Sequence, residues 1–131
     1  MTSKELMQKA IEARERAYVP YSSFKVGAAL VGADGQVFLG CNIENAAFSP
    51  TNCAERTAVF KAVSEGIREF SALAVVADTE GPVTPCGVCR QVLAEFCEPT
   101  MPVYLGNMRG DLVETTLQEL LPGAFTSKEL K

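Results

Sequence analysis

The run Ala72-Leu73-Ala74-Val75-Val76-Ala77 decides the fold class, because all six of its residues are apolar. A short apolar run of this kind predicts a strand that is covered on both faces, as in a sheet between two layers of helices. Further along the chain, residues 86–96 have the pattern of a helix and residues 102–106 that of another strand. A strand, a helix and a strand in this order predict a crossover unit of a layered α/β domain.

Patterns on either side extend this unit to one domain over the whole chain, residues 1–131. Thr2 and Glu5 form a capping box at the start of a helix that Pro20 is expected to end. The segment Ala33-Asp34-Gly35 indicates an antiparallel hairpin. The further elements predicted are helices over residues 3–18, 53–65 and 117–121 and strands over residues 24–31, 36–41 and 112–115.

The composition is that of a soluble globular protein, with 47% apolar and 21% charged residues. No apolar run approaches the roughly 18 residues that span a bilayer. The N-terminus leads into a charged amphipathic segment and not into the apolar core of a signal peptide. We therefore expect a cytoplasmic protein with no membrane partner. The net charge of −4 argues against a nucleic-acid partner, which would require a concentrated basic face.

The counts of cysteine and histidine limit the possible chemistry. Five cysteines without an export signal favour metal binding or catalysis over a disulfide framework. The chain contains no histidine, so no Ser-His or Cys-His nucleophile pair can form. Any general base must therefore be a carboxylate, Lys, Tyr or Cys.

Cys53, Cys86 and Cys89 are the candidate metal ligands. Three thiols can bind one zinc ion and leave its fourth position to water, which is a catalytic arrangement, whereas a structural site normally has four protein ligands. Glu55 lies two residues after Cys53 and is the candidate to accept a proton from that water. The Cys-x-Glu and Pro-Cys-x-x-Cys pair is typical of zinc nucleobase deaminases, with Cys in place of the more usual His.

The charge of such a centre requires compensation, because three thiolates outweigh one Zn²⁺ and make it a poorer Lewis acid. Both cysteine groups begin predicted helices, and each helix N-terminus carries a partial positive charge of about half a unit. A guanidinium that donates a hydrogen bond to a thiolate would add to this effect. Arg56 and Arg90 are both suitably placed, and the sequence does not decide between them.

Other interpretations of these residues remain open at this point. The Cys-x-x-Cys pair alone could be a redox dithiol of the thioredoxin type, which leaves Cys53 and Glu55 unexplained. A structural zinc site could take Cys41 or Cys97 as its fourth ligand, although both positions also suit small buried hydrophobic residues. Glu55 could be an ordinary carboxylate of a first helical turn.

Five ordered blocks extend the pattern over nearly the whole chain. They are Pro20-Tyr21-Ser22-Ser23-Phe24-Lys25-Val26-Gly27-Ala28-Ala29-Leu30, Gly40-Cys41-Asn42-Ile43-Glu44-Asn45-Ala46, Cys53-Ala54-Glu55-Arg56-Thr57-Ala58, Thr84-Pro85-Cys86-Gly87-Val88-Cys89-Arg90-Gln91 and Leu120-Leu121-Pro122-Gly123-Ala124-Phe125. With these blocks the chain resembles the cytidine deaminases of the small, all-cysteine zinc class. Five blocks in order with compatible spacing are far more specific than any single motif.

The resemblance implies a three-layer α/β/α sandwich with a mixed five-stranded sheet, and one zinc ion per subunit held by Cys53, Cys86 and Cys89. It implies a hydrolase that converts free cytidine and 2′-deoxycytidine to the uridines and ammonia, in pyrimidine salvage. Zinc-bound hydroxide would attack C4 of the ring, while Glu55 would move a proton to N3 and then protonate the departing amine.

The resemblance also implies the contacts with the substrate. Phe24 would lie against the pyrimidine, and Asn42 and Glu44 would hold the ribose hydroxyls. The backbone of Ala54 and the carbonyl of Thr84 would read the edge of the base. Small deaminases of this class form homotetramers in which aromatic residues complete a neighbour's pocket, and Phe125, with Phe48, is the candidate here.

The sequence departs from the pattern in one loop, where relatives often carry Tyr at the position of Phe48 and where Pro50 precedes the helix of Cys53. Neither change affects a predicted zinc ligand or Glu55. Two alternative functions remain: a deaminase of another substrate, such as a blasticidin-type aminonucleoside, and a zinc-stabilised binding module without catalysis.

Overall fold

The structure is a computed structural model and describes residues 1–130. Its helices and strands follow the order predicted from the sequence, with ends that differ by a few residues. They are α1 (Ser3–Arg14), β1 (Val26–Gly32), β2 (Val37–Cys41), α2 (Ala54–Ser64), β3 (Phe70–Ala77), α3 (Gly87–Phe96), β4 (Pro102–Asn107), β5 (Leu112–Thr116) and α4 (Leu117–Leu120), followed by a short 3₁₀ helix at Ser127–Leu130. Over residues 1–130, no helix combines the length and the apolarity needed to cross a bilayer.

The strands form a five-stranded sheet in the order β2-β1-β3-β4-β5. β3 and β4 pair in parallel, whereas the other neighbours are antiparallel. The predicted mixed sheet is therefore confirmed. In the β1–β2 hairpin, the Gly32 N–H donates to the carbonyl oxygen of Gln36 at 2.8 Å. Gly35 has a φ of 89°, a left-handed conformation that favours glycine.

Strand β3 separates two apolar clusters, because its alternate side chains face opposite sides of the sheet. Leu73 and Val75 belong to the cluster beneath α2 and α3. Ala74 and Val76 belong to the cluster beneath α1. All four residues are fully buried. Helices thus cover both faces of the sheet, which confirms the three-layer α/β/α architecture.

Helix α1 ends at Arg14, so the prediction that it runs to residue 18 and is ended by Pro20 was wrong. The Tyr18 N–H donates to the carbonyl oxygen of Asn42 at 3.0 Å, and its own carbonyl accepts from the Glu44 N–H at 2.9 Å. With these two hydrogen bonds Tyr18 forms a β-bridge to residues 42–44, which are distant in sequence. The bonds replace the backbone hydrogen bonds that a further turn of α1 would make. The capping box of Thr2 and Glu5 at the other end is confirmed.

Strand β1 begins at Val26, so Phe24 lies in the loop before it and not in the strand that was predicted to begin there. The side chain of Asn42 explains the difference. Its Oδ1 accepts the Val26 N–H at 2.9 Å, and its Nδ2 donates to the Phe24 carbonyl at 2.8 Å. An amide side chain therefore takes the place of a neighbouring strand at this end of the sheet.

Gly40 of β2 brings the sheet close to the first turns of α2. A Cβ atom at this position would lie 2.6 Å from the backbone nitrogen of Ala58, and it would also collide with the carbonyl oxygen of Ala54. Because backbone atoms cannot move aside alone, only glycine allows α2 to lie at this distance. The position of the N-terminus of α2 relative to the sheet therefore depends on Gly40.

Replacing Gly40 with Ala is expected to lower the free energy of unfolding by about 1–3 kcal/mol, the usual effect of overpacking. Urea denaturation followed by circular dichroism measures the change. Gly81→Ala is the control, since a Cβ at Gly81 meets nothing within 4 Å. An unchanged midpoint in Gly40→Ala would show that the helix and the strand are not in this close contact.

Candidate active site and metal centre

The two cysteine groups lie at the N-termini of helices α2 and α3. Cys53 is the N-cap residue of α2, with φ −76° and ψ 158°, and its side chain makes no capping hydrogen bond. Cys86 is the N-cap residue of α3, and its Sγ accepts from the Cys89 N–H at 3.5 Å. The helix N-termini give both thiols a positive local potential, which favours the thiolate form.

The three predicted ligands converge on one point. The Sγ atoms of Cys53, Cys86 and Cys89 all lie within 4.8 Å of one another. Cys53 and Cys86 are 3.7 Å apart, and Cys86 and Cys89 are 3.4 Å apart. Tetrahedral zinc with Zn–S bonds of about 2.3 Å separates its sulfur ligands by about 3.8 Å. The spacing therefore fits one zinc ion with three thiolate ligands.

Within residues 1–130, this is the only group of three or more Cys, His, Asp or Glu side chains placed to hold a metal ion. Cys41 and Cys97, the alternative fourth ligands, do not belong to it. Burial raises the pKa of Cys97 to about 12 and also raises that of the half-buried Cys41. Both thiols are therefore protonated near neutral pH, as expected of small hydrophobic residues.

The thiols of the centre differ in acidity. Hydrogen bonds from Cys89, and then from Arg56 and Cys86, lower the pKa of Cys53 to about 5. The same bond to Cys53, together with burial, raises the pKa of Cys89. The centre thus holds one thiolate stabilised by its neighbours even without a metal ion. A zinc ion that binds would displace the remaining protons.

The structure separates the two arginines that the sequence could not distinguish. The Arg56 Nη2 atom donates to Cys53 Sγ at 3.2 Å. The Arg90 guanidinium instead donates from Nε to the Pro85 carbonyl at 2.8 Å and from Nη1 to the Leu120 carbonyl at 2.6 Å. Arg56 is therefore directed at a thiol, whereas Arg90 ties α4 to the loop just before Cys86.

Glu55 lies in the first turn of α2, and its residue is only 4% exposed. Burial is the main cause that raises the pKa of its carboxyl group to about 7, and the negative charge of Cys53 adds to the effect. A carboxyl group with this pKa can take up and release a proton near neutral pH, which general acid–base catalysis requires. An ordinary carboxylate of a first helical turn would be exposed and ionised.

The predicted ribose-binding residues lie in the loops near the β2 edge of the sheet. Glu44 lines a cleft of about 420 Å³ together with Tyr21, Ser22, Phe48 and Thr51. Its Oε1 accepts from the backbone N–H groups of Tyr21 at 3.0 Å and Ser22 at 3.1 Å, and its Oε2 accepts from the Ser22 hydroxyl. The hydrogen bond from Ser22 is the main cause that lowers the pKa of Glu44. Glu44 is therefore an oriented, ionised acceptor.

The predicted aromatic contacts are exposed. Phe24 is 41% exposed. It is therefore not a core residue, although a phenylalanine in a strand usually is. Phe48, with a φ of 63°, packs edge-on against Tyr21 with the ring centroids 6.2 Å apart. Phe125 lies in the C-terminal segment and is 58% exposed, and its carbonyl accepts from Gln91 Nε2 at 2.7 Å. These rings are free to contact a substrate or another subunit.

The two residues that were predicted to contact the base through their backbone flank the cysteine centre. Ala54 follows Cys53 and is fully buried, so its side chain presents nothing to a ligand. Thr84 is exposed in the loop between β3 and α3, two residues before Cys86. Ser22 was not among the predicted site residues, because no motif or spacing in the sequence shows that its hydroxyl contacts Glu44.

Comparison with known proteins gives consistent results over the full chain. The chain is 65% identical to a cytidine deaminase from Sporosarcina psychrophila, over 99% of this chain and 96% of that protein. It is 61% identical to a cytidine deaminase from Halalkalibacterium halodurans, over 99% of this chain and 98% of that protein. The crystal structure of a cytidine deaminase from Burkholderia pseudomallei superposes with a TM-score of 0.93 at 56% identity, over 95% of this chain and 100% of that one.

The α/β/α fold and the three-cysteine centre with its buried acid define the class of zinc-dependent deaminases. Residues 1–105 match the family described as the cytidine and deoxycytidylate deaminase zinc-binding region. The chain belongs to this family, and the predictions of its fold, its zinc cofactor and its enzymatic nature are confirmed.

Proposed function

We propose that this protein catalyses the hydrolytic deamination of cytidine and 2′-deoxycytidine to the uridines and ammonia. One observation carries the proposal: a buried carboxyl group, Glu55, interacts with Cys53 and Cys89 of a centre that has three thiols and not four. A three-ligand centre leaves a position for water, and the carboxyl group can move the protons that hydrolysis requires. The two relatives at 65% and 61% identity are cytidine deaminases, which supports the same reaction.

In this proposal, Cys53, Cys86 and Cys89 hold one zinc ion per subunit. When bound, zinc supplies a Lewis acid that makes water nucleophilic near neutral pH. The N-termini of α2 and α3 and the Arg56 guanidinium offset the negative charge of the thiolates. Arg90 acts at a distance from the sulfur atoms, by holding the carbonyl of Pro85 in the loop that leads to Cys86.

Glu55 moves the protons of the reaction. It accepts a proton as water adds to C4 of the pyrimidine, and it delivers that proton to N3. It then takes the second proton, from the hydroxyl group that has added to C4, and delivers it to the amino group, so that the C4–N bond breaks, ammonia leaves and C4 keeps the new oxygen as a carbonyl. Burial holds the pKa of Glu55 at about 7, so the same group serves as base and then as acid.

The loops around Glu44 bind the nucleoside. Phe24 lies against the pyrimidine ring, and Asn42 and Glu44 hold the ribose hydroxyls. The backbone of Ala54 and the carbonyl of Thr84 read the edge of the base. The Glu44 carboxylate would repel a nearby 5′-phosphate, which favours nucleosides over nucleotides.

The assembly completes the site. In this proposal the protein is a homotetramer in which Phe125, with Phe48, enters the pocket of a neighbouring subunit. The exposure of both rings supports this arrangement, because a single chain leaves them largely in water. All five cysteines are free, which fits a reducing compartment such as the cytoplasm.

Replacing Phe125 with Ala is expected to raise the KM for cytidine several-fold, because the neighbouring pocket loses an aromatic wall. Steady-state kinetics with light scattering on the same samples separates binding from assembly. Leu130→Ala is the control, since Leu130 is also exposed in the C-terminal segment. Unchanged kinetics for Phe125→Ala would assign that ring to packing within its own subunit.

The ultraviolet absorbance of cytidine, 2′-deoxycytidine and a blasticidin-type nucleoside, each incubated with the zinc-loaded protein, tests the proposal. Conversion of the first two to uridines, with the third much slower, is the expected result. Conversion of only the blasticidin-type nucleoside would transfer the activity to that substrate class. No conversion of any substrate by fully loaded protein would favour a zinc-stabilised binding module.

A further inference from the structure

The hydroxyl of Ser22 lies at the centre of the hydrogen bonds around Glu44. It donates to Glu44 Oε2, while the backbone N–H groups of Tyr21 and Ser22 donate to Oε1. The same hydroxyl oxygen accepts the Phe24 N–H at 3.0 Å. Because a hydroxyl has one proton, its donor is committed to Glu44, while one of its two acceptor lone pairs takes the Phe24 N–H.

These bonds leave Glu44 with limited capacity. A carboxylate accepts about four hydrogen bonds, and the three donors at Tyr21 and Ser22 occupy most of that capacity. Oε1 carries two of the bonds and Oε2 only one, so the remaining acceptor site lies on Oε2, beside the Ser22 hydroxyl. Glu44 can thus accept about one further hydroxyl group.

The Ser22 hydroxyl also joins Glu44 to the other predicted substrate residues. From Ser22 the chain of bonds runs through the Phe24 N–H to the Phe24 carbonyl, which accepts from Asn42 Nδ2 at 2.8 Å. Asn42 in turn accepts from the first residue of β1, Val26. The Ser22 hydroxyl thereby links Oε2 of the carboxylate in the cleft to the sheet by a continuous chain of hydrogen bonds.

We propose that Ser22 is a positioning residue that fixes the Glu44 carboxylate as the acceptor of one ribose hydroxyl of the substrate. The inference rests on the proposed function, because it assumes that a nucleoside occupies the cleft. Without the hydroxyl, Glu44 keeps its two backbone bonds at Oε1, but Oε2 loses its fixed direction. Part of the binding free energy would then be spent on ordering the side chain.

Replacing Ser22 with Ala should therefore lower kcat/KM for cytidine about tenfold, mainly through KM. With 2′,3′-dideoxycytidine, which lacks both secondary hydroxyls, wild type and Ser22→Ala should have equal kcat/KM. In a Glu44→Gln background, Ser22→Ala should add little, because the two residues act together. Ser22→Thr retains the hydroxyl and should restore most of the activity. This variant also keeps the test valid if Ser22→Ala fails to fold.

Ser23→Ala is the matched control, since it removes a hydroxyl that makes no hydrogen bond in residues 1–130 and is expected to leave kcat/KM unchanged. The inference would be overturned if Ser22→Ala had the same kcat/KM for cytidine as wild type. It would also be overturned if the variant lost kcat/KM equally with cytidine and with 2′,3′-dideoxycytidine. Wild type is assayed on cytidine in the same series. A wild type without activity on cytidine refutes the proposed function, whereas an active wild type matched by Ser22→Ala refutes only the role of Ser22.

Discussion

Replacing Glu55 with Gln is expected to lower kcat for cytidine by at least ~10²–10⁴-fold, the range typical of general acid–base catalysis. The amide has nearly the same shape but cannot carry a proton from water to the base and on to the leaving amine. Because Glu55 lies beside the thiols and not among them, the variant should retain one zinc ion per chain. Turnover and metal content measured on one preparation separate these two effects.

The stability of the Glu55→Gln variant should not fall. The pKa of Glu55 rises from 4.5 to about 7 on folding, mainly through burial. The carboxyl group therefore favours folding most at pH values below 4.5, and this contribution is lost as the pH rises through about 7. A neutral amide has no such pH dependence, so the Tm of the metal-free variant at pH 8 should equal or exceed that of wild type.

Glu65→Gln is the matched control, because Glu65 is an exposed carboxylate at the other end of α2. It should leave kcat unchanged. Wild-type turnover in Glu55→Gln would contradict the proposed proton transfers, and loss of zinc in that variant would show that Glu55 supports the metal centre instead.

The second large effect is expected from Cys89→Ser. Cys89 is fully buried, and its Sγ lies 3.4 Å from that of Cys86. A hydroxyl group at this place is a poor zinc ligand, so affinity for zinc should fall by several orders of magnitude and activity by on the order of 10³-fold or more. Metal content after dialysis and the Tm with and without added zinc measure the loss.

Cys41→Ser provides the control, because Cys41 lies at the end of β2 and outside the metal centre. It should keep zinc and activity. In wild type, titration with a thiol reagent should find three thiols that become reactive only when a chelator removes the metal. Four such thiols would indicate a closed structural site, and zinc fully retained by Cys89→Ser would exclude Cys89 as a ligand.

The elements of this fold could be predicted where the local pattern was strong. The apolar run that became β3 correctly indicated a strand covered on both faces, and the capping box of Thr2 and Glu5 marked the start of α1. The end of α1 could not be predicted, because the backbone of Tyr18 bonds to residues 42 and 44, which are distant in sequence. Local propensity carries no information about such partners.

The candidate site, like the fold, has parts that the sequence predicts and parts that it does not. Its metal centre could be predicted because ligand type and spacing are set by the chemistry of zinc, and the three thiols converge as expected. The choice between Arg56 and Arg90 depends on which way each side chain points from its helix, which spacing alone does not determine. The bond from Ser22 to Glu44 joins two loops, and only the folded chain reveals it.

The most direct test of the account is to remove zinc from the protein and return it while following the absorbance of cytidine. The account predicts conversion to uridine by the zinc-loaded protein, loss of conversion after chelation, and recovery when one zinc ion per chain is restored. A protein with one zinc ion per chain that converts neither cytidine nor 2′-deoxycytidine would contradict it.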